Sequence, residues 1–470
     1  MPTPFRARTI IGIGTIAAVA GCASDVTPPS LQPPVAAVRD LRLSNAGFAT
    51  FAAVLSGNAQ MVAAAPTLVP PGAPLSPFVE ARLYAIASVA MHDALNGVDD
   101  RYDRYADNTA VDSHANATAA VLTAAHDAII GAAPASLAST NAWYASAMAL
   151  LSRQEGIARG VAIGHRSAAA ILALRNNDGT ANGAVGPYHP GPAPGDYQFT
   201  FPFNTPGFDF FGTGGFADAT LWGSTVTPFV LHSGAQFRAP PPYGVASNAL
   251  AVQTRRYTAD YREVKALGCA TCSARSAEQT TIAQFWSENS PTGWNRIAKA
   301  VADRRNLDAW EGTRLLAVMA MAEFDSYVSS LEGKYHYNFW RPVTAVALAA
   351  TDGNGETTTQ AGWDVLVFPT PPIPDYPSAH ATAGGAGAGV IDALFPGEGP
   401  SFSTTSTSLA GVTRTFRSAS AAAAENALSR IYIGYHFRLA TEAGLTQGRS
   451  VGAFVAANAP RPHSGREHDE

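Results

Sequence analysis

The sequence predicts an all-α protein, and three observations support this. Long stretches place apolar residues three and four positions apart, which is the period of a helix that buries one face. Strand-like alternation is sparse, and the 470 residues are 47% hydrophobic, enough to bury a large core. Only 14% of the residues are charged and the formal net charge is −5, so we expect no nucleic-acid partner. Any cationic site must therefore be local.

The N-terminus has the layout of a secretory signal. Arg6 and Arg8 precede an apolar run from Ile10 to Ala20, which is too short to span a bilayer. Small residues lead up to Cys22 in a segment that resembles a bacterial lipobox. We expect cleavage to leave Cys22 carrying lipid, which would anchor an exported, periplasmic protein to a bacterial membrane.

This interpretation makes residues 1–22 a lipoprotein signal peptide and the proline-rich residues 23–40 a tether. Residue Ala23 is not aspartate, which by analogy with bacterial lipoproteins favours the outer membrane. The alternatives are an ordinary signal peptide and a cytoplasmic protein with an apolar start.

The remaining chain divides by composition into two helical regions. Residues 41–253 form the predicted N-terminal helical region, with helical periodicity over 78–177. Glycine, proline and aromatic residues dominate 180–253, which predicts a long, irregular but ordered loop region. A C-terminal helical core over 254–460 and a polar tail over 461–470 complete the prediction.

The segment GCATC contains Cys269 and Cys272. A tetrahedral zinc site would lack ligands here, because the sequence has no second cysteine pair and no nearby histidine cluster. Export would permit oxidation, so we favour a disulfide between these two cysteines. Free thiols and a redox pair are the alternatives.

The candidate site residues lie in three later segments, of which KYHYNFWRP is the first. Lys334 and Arg341 stand seven residues apart. On one continuous helix this separation is close to two turns, so both cations would project from one face. Pro342 would then fall inside that helix or bend it.

The second segment, PDYPSAH, predicts the start of a helix. Ser378 is a natural N-cap, and the first-turn amides, including that of Ala379, would point at an anion. The small-residue run ATAGGAGAG after His380 would permit close helix packing behind the site.

The third segment, SRIYIGYHFR, places Arg430 and His436 six residues apart, with another helix expected to begin near His436. The three segments together offer three cations, a hydroxyl, helix-start amides and two histidines. This donor set fits a tetrahedral or trigonal-bipyramidal oxyanion.

In this order the segments resemble the signature shared by vanadium-dependent haloperoxidases and type 2 phosphatidic acid phosphatases: K-x6-RP, then PSGH, then SR-x5-H-x3-D. Further stretches, such as WGSTVTPFVLHSGAQFRAPPP and ARSAEQTTIAQFW, look like the bacterial haloperoxidase-like branch. The resemblance covers nearly everything after about residue 75. It implies all-α helical bundles of the haloperoxidase and phosphatase type, with the site inside a bundle.

The chain departs from this signature at two positions. Ala379 replaces a glycine, but its backbone amide can still donate a hydrogen bond. Ala440 replaces the aspartate that would orient His436, so the histidine lacks its usual control of tautomer and ring orientation. We expect Glu442 or a backbone carbonyl to substitute.

The resemblance also implies a role for each matched residue. The equatorial oxygens of bound vanadate, or of phosphate in the same site, would be neutralised by Lys334, Arg341 and Arg430, with Ser378 and the Ala379 amide completing the cradle. His436 would be the axial ligand of vanadate or a nucleophile. His380 would be the acid–base group, with its pKa depressed by the cations.

We favour a vanadate-dependent haloperoxidase that oxidises a halide with hydrogen peroxide to a hypohalous-acid equivalent. The long N-terminal region and the lack of several membrane-spanning segments favour this branch. The alternative is an acid-phosphatase-like enzyme that cleaves a phosphomonoester through a phosphohistidine, and the third hypothesis is a non-catalytic oxyanion-binding lipoprotein.

The sequence leaves the halide open. Leu331 and Ile373, rather than aromatic residues, flank the motifs where halide would make contact. Among the halides, we favour bromide or iodide. By resemblance, a homodimer is plausible.

Overall fold

A computed structural model describes residues 45–72, 74–151, 154–180, 191–204, 222–271, 274–397, 399 and 401–463. The predicted signal peptide, the tether, Cys22, Cys272 and most of the polar tail lie outside these residues. From residue 45 onward the described residues pack as one compact unit. Helices dominate this unit, which confirms the predicted all-α class.

The N-terminal layer consists of five helices. Their bounds are α1 Asn45–Ala64, α2 Pro77–Asn96, α3 Ala117–Ala132, α4 Leu137–Ala149 and α5 Ile157–Arg175. Helix α2 starts where the Ser76 side chain accepts from the Phe78 amide, and nearly all of its residues are buried. Helix α2 therefore lies in the interior, where it packs against α3 and α5. Among the described residues, only α5 is long and apolar enough to cross a membrane.

The described part of the predicted loop region, 191–204 and 222–253, is mostly irregular but contains single helical turns. These are α6 Trp222–Thr225 and α7 Asn248–Ala251, with 3-10 turns at Gly234–Phe237 and Pro242–Gly244. Asp325 holds the segment between α6 and the first of these 3-10 turns. Its carboxylate accepts hydrogen bonds from the backbone N–H groups of Phe229, Val230 and Leu231.

The C-terminal core contains eight further helices and one hairpin. The helices are α8 Arg255–Leu267, α9 Ala277–Phe285, α10 Ser290–Arg305, α11 Ala309–Tyr337, α12 Pro342–Leu348, α13 Ala379–Leu394, α14 Ala419–Tyr432 and α15 Arg438–Asn458. Strands β1 Phe402–Thr405 and β2 Thr413–Phe416 pair antiparallel, with Phe402 opposite Phe416. Other 3-10 turns are Ala65–Leu68, Pro134–Ser136 and Ala349–Thr351.

Helix α11 is the 29-residue centre of the fold and contacts α2, α10, α13 and α15. It begins at a capping box, in which Asp308 and Glu311 bond each other's backbone amides. It ends at Asn338, which adopts a left-handed conformation with φ of 50° and donates its N–H to the Lys334 carbonyl at 2.7 Å. The end of α11 therefore carries the first cation of the motif.

The prediction that Lys334 and Arg341 share one continuous helix is wrong. Lys334 lies in the last turn of α11, whereas Arg341 is the N-cap of α12, with Pro342 at its first position. Proline at that position needs no N–H partner, so it starts a helix rather than bending one. The two cations converge from separate elements.

Helices α13 and α15 pack backbone to backbone, as the glycine run predicts. A Cβ on Gly448 would lie 2.0 Å from the Thr382 carbonyl oxygen, and one on Gly385 would lie 2.4 Å from that of Leu445. Only glycine permits this approach. It fixes the helix that carries Ser378 and His380 against the helix that follows His436.

Candidate active site

Residues 373–378 form the backbone frame of the site. The Lys334 ammonium donates to the carbonyl oxygens of Pro374 at 2.6 Å and Asp375 at 3.0 Å. The Arg341 Nε donates to the Ile373 carbonyl at 2.7 Å. Both cations are thus held by neutral carbonyls of one short segment.

Ser378 closes this segment and caps α13, as predicted. Its hydroxyl accepts from the Ala381 amide at 3.4 Å, and its own N–H donates to the Ala440 carbonyl at 2.9 Å. Ala379 is the first helical residue. The positive end of the α13 dipole therefore lies at the site.

Arg430 enters the site from the last turn of α14. Its Nη1 donates to the Trp286 carbonyl at 3.0 Å, and the guanidinium lies 5.0 Å from the centre of the Tyr435 ring. Its Nε is buried without a hydrogen-bond partner among the described residues. Burial lowers the pKa of Arg430 to about 10, and nearby Arg341 adds to the effect.

The three cations are buried without a salt bridge, and the charge of Asp375 offsets only part of the effect of burial on the pKa of Lys334 and Arg341. Lys334 is 0% exposed, Arg341 1% and Arg430 5%, and in the described part of the chain none forms an ion pair with a carboxylate. Burial, and then repulsion from Arg341, lowers the pKa of Lys334 well below its usual range. Buried charge without a partner is costly, so this arrangement favours an anion that would neutralise it.

His436 lies between Arg341 and Asp375. Its Nδ1 is 2.8 Å from Asp375 Oδ1, and its Nε2 is 2.9 Å from Arg341 Nη1. Arginine nitrogen can only donate, so Nε2 must be the acceptor and Nδ1 carries the proton. Burial, followed by Arg341 and Lys334, lowers the pKa of His436 well below its usual range and keeps the ring neutral.

Asp375 is a site residue that the motif comparison did not identify. It is fully buried. Burial raises the pKa of Asp375 to about 8, against the opposing effect of Arg341 and Lys334. Oδ1 can accept from His436 Nδ1 in either protonation state, because the acid proton can sit on Oδ2, which has no other partner among the described residues. The sequence contained one signal: Asp375 is the only acidic residue in the three motif segments.

Glu442 does not take the place expected for it. Its carboxylate pairs with Arg256 at 2.7 Å and reaches Arg438 at 4.0 Å, and its side chain is 47% exposed. The carboxylate in contact with His436 therefore comes from before α13, and not from α15.

His380 is the second residue of α13, and its Nε2 is buried without a partner in the described structure. Burial, and then repulsion from Arg430, lowers the pKa of His380 well below its usual range. The direction agrees with the sequence expectation, but the larger cause is burial rather than the cations. His380 also lies close enough to His436 to lower the pKa of that residue. All six matched side chains thus lie in one cluster, in which all but the partly exposed His380 are buried.

The cluster suits an oxyanion rather than a simple metal cation. Among the described residues no group of three or more histidine, cysteine, aspartate or glutamate side chains could hold a metal ion. Cys269 is disulfide-bonded, which argues against zinc. Its pairing with Cys272, which lies outside the described residues, stays a prediction.

Comparison with known proteins bears on the same region. Residues 314–465 match the family described as "VCPO second helical-bundle domain". The chain is 30% identical over 196 residues to the vanadium chloroperoxidase of Curvularia inaequalis. The C-terminal bundle is thus similar to proteins of the vanadium haloperoxidase family. The matched part is 36% of this chain but only 31% of that relative, so the chain spans about a third of the relative's length.

Solved structures extend the likeness to the whole fold. A bacterial vanadium-dependent iodoperoxidase superposes with a TM-score of 0.70 at 25% identity, over 89% of this chain and 98% of that one. The holo form of a bacterial vanadium-dependent chloroperoxidase gives a TM-score of 0.62 at 17% identity, over 83% of this chain and 93% of that one. The second likeness shows the fold alone.

Proposed function

We propose that the protein is a vanadate-dependent haloperoxidase, which oxidises a halide with hydrogen peroxide to a hypohalous-acid equivalent. The observation that carries this proposal is the set of three buried cations without a salt bridge, beside a neutral histidine whose Nε2 lone pair faces one of them, Arg341. The similarity to haloperoxidases supports it, because the iodoperoxidase is matched over 98% of its chain.

The residues present fit vanadate. Three cations, the Ser378 hydroxyl and the Ala379 amide supply donors for its oxygens, and His436 Nε2 supplies the ligand for the metal. The orphaned Nε of Arg430 shows that this donor set is not exhausted by contacts within the described protein. Bound vanadate supplies a Lewis-acid centre that activates peroxide without a change in its own oxidation state.

His380 is the residue placed to move protons. It is neutral because burial lowers its pKa, and its Nε2 has no partner among the described residues. At that atom it can take a proton from entering hydrogen peroxide and later return one to the departing oxygen. His436, whose proton is engaged by Asp375, is not free for this task.

For the halide, we propose iodide or bromide rather than chloride. Leu331 and Ile373, the residues that flank the cation motifs, are both buried aliphatic side chains. They offer no hydrogen bonds to replace the hydration of a small anion, so the larger and more weakly hydrated halides are favoured.

The test compares two activities on the full chain purified in detergent. We expect peroxide-dependent iodide oxidation that requires added orthovanadate, is lost in His436→Ala and is retained in His165→Ala. His165 is a suitable control because its side chain is 56% exposed and pairs with Asp127 on the surface.

Hydrolysis of p-nitrophenyl phosphate is measured in parallel. Phosphate release that vanadate inhibits, without halide oxidation, would identify a phosphatase acting on phosphomonoesters. Silence in both assays, with vanadate still bound, would identify a non-catalytic oxyanion-binding protein.

We further propose that the protein is exported and anchored to the bacterial membrane through lipid on Cys22. Metabolic labelling with a radioactive fatty acid should mark the wild-type chain but not Cys22→Ser. Equal labelling of both would contradict the anchor. A homodimer stays a prediction, which light scattering of the purified protein would check.

A further inference from the structure

His436 needs a hydrogen-bond acceptor at Nδ1, and position 440 cannot provide one. Ala440 has only a methyl side chain, and its carbonyl accepts the N–H of Ser378 at 2.9 Å. In the family that the chain resembles, an aspartate at this position would orient the histidine. Another residue must therefore accept the hydrogen bond from His436 Nδ1.

Asp375 provides this acceptor, and its backbone is fixed on both sides. Its N–H donates to the Phe339 carbonyl at 2.8 Å, and its carbonyl accepts from the Lys334 ammonium at 3.0 Å. The side chain is 0% exposed, and Oδ1 lies 2.8 Å from His436 Nδ1. One residue thus links the lysine of the site to its histidine.

No other described carboxylate near α15 competes for His436. Glu442 pairs with arginines on the surface. Asp260 accepts from the Tyr243 hydroxyl at 3.1 Å and from the Leu439 amide at 2.9 Å, which fixes the start of α15 without contact to His436.

We propose that Asp375 is the positioning residue that replaces the missing carboxylate at position 440. It holds His436 as the Nδ1–H tautomer, so that Nε2 presents its lone pair to the oxyanion. The inference rests on the proposed oxyanion site, but it does not depend on which reaction that site performs.

The substitution Asp375→Asn should loosen the control of the tautomer. Unlike a carboxylate, an amide can donate to Nδ1 as well as accept from it, so the form with the proton on Nε2 becomes accessible despite the Arg341 guanidinium beside that atom. In this form Nε2 cannot bind vanadium. The change keeps the size of the side chain, so it separates orientation from packing.

Two readouts, neither of which is turnover, test this on the full chain. The first is ¹⁵N NMR of histidine-labelled protein without vanadate, with the His436 signals assigned by their loss in His436→Gln. We expect an Nδ1–H imidazole in the wild type and an Nε2–H or mixed imidazole in Asp375→Asn. A wild-type Nε2–H tautomer would overturn the proposal, whatever the variants do.

The second readout is vanadate affinity by equilibrium dialysis, without peroxide or halide. Loss of an outer-shell partner weakens metal binding by about tenfold to 100-fold, and we expect a loss of this size in Asp375→Asn. The control Glu442→Gln should bind as the wild type does. Adding Ala440→Asp to Asp375→Asn should recover part of the affinity if the two positions are equivalent.

The outcomes separate this inference from the proposed function. Wild-type affinity in a folded Asp375→Asn variant would overturn the role of Asp375. Normal vanadate binding without halide oxidation would overturn the haloperoxidase proposal and leave the role of Asp375 intact. A wild-type chain that binds no vanadate would remove the oxyanion site on which the inference rests.

Discussion

Two clusters of buried cations in this molecule are built in opposite ways. At the end of α5, Arg175 is 2% exposed, and its Nε lies 3.1 Å from the Asp178 carboxylate. Arg82 contacts the same carboxylate at 2.7 Å. In the site, Arg341 is equally buried, but among the described residues it bonds only to carbonyl oxygens and to His436.

The difference shows which cluster is structural and which is functional. Arg175 also donates to the carbonyls of Thr227 and Pro228 and lies 4.0 Å from the centre of the Phe229 ring, so its partners are supplied by the fold. Among the described residues, Arg430 Nε in the site has no hydrogen-bond partner. Burial without a salt bridge fits the proposed anion site, whereas burial alone would not distinguish the two clusters.

The largest expected effect on stability is in the paired cluster. Asp178→Ala leaves two arginines without their carboxylate, and breaking a buried ion pair in this way costs about 3–5 kcal/mol. We expect urea unfolding to show a loss of this size. Vanadate affinity of the folded fraction should stay unchanged, and a loss of affinity would mean that the two clusters are not independent.

In the site, the corresponding change should affect activity instead. Arg341→Met removes one donor to the developing charge, and loss of one such donor costs about 100-fold to 1,000-fold in rate. Iodide oxidation with saturating vanadate measures this. Stability without vanadate should change far less than in Asp178→Ala, because no carboxylate loses its partner. If Arg341→Met were mainly unfolded, this would contradict the contrast between the paired cluster around Asp178 and the cations of the site.

Vanadate should stabilise the folded protein only by binding to the three cations of the site. At 100 times its dissociation constant, a ligand that binds only the folded state adds about 2.7 kcal/mol. We expect urea unfolding of the wild type to show this gain with vanadate, and Arg430→Met to show much less of it. Equal gains in both would place the anion elsewhere.

The smallest expected effect tests which carboxylate is the partner of His436. Glu442→Gln should change neither vanadate affinity nor iodide oxidation by more than about twofold, since exposed ion pairs contribute little. Kinetic assays on this variant check the result. A large loss would restore Glu442 as the partner of His436.

Helices and caps could be predicted from sequence because both are local. Periodicity identified the helical regions, and the serine before a small-residue run gave the N-cap of α13. The end of α11 was missed because a seven-residue spacing fits a helix whether or not it continues. The position of Pro342 was the available signal, since the residue before a proline avoids helical backbone.

The contact between Asp375 and His436 could not be derived from spacing. The two residues are 61 positions apart, and contacts between elements distant in sequence, such as the packing of α13 against α15, bring their segments together. The resemblance directed attention to position 440, where the chain has lost its carboxylate. Pattern matching shows which position has changed, but the structure is needed to show what has replaced it.

The most direct test is a crystal structure of the full chain with bound orthovanadate, with vanadium located by its anomalous scattering. We expect one vanadium per chain, bonded to His436 Nε2, with its oxygens facing Lys334, Arg341 and Arg430, and with His436 Nδ1 still on Asp375. Vanadium bound outside this cluster, or no vanadium at saturating concentration, would contradict the assignment of the unpaired cations as an oxyanion site.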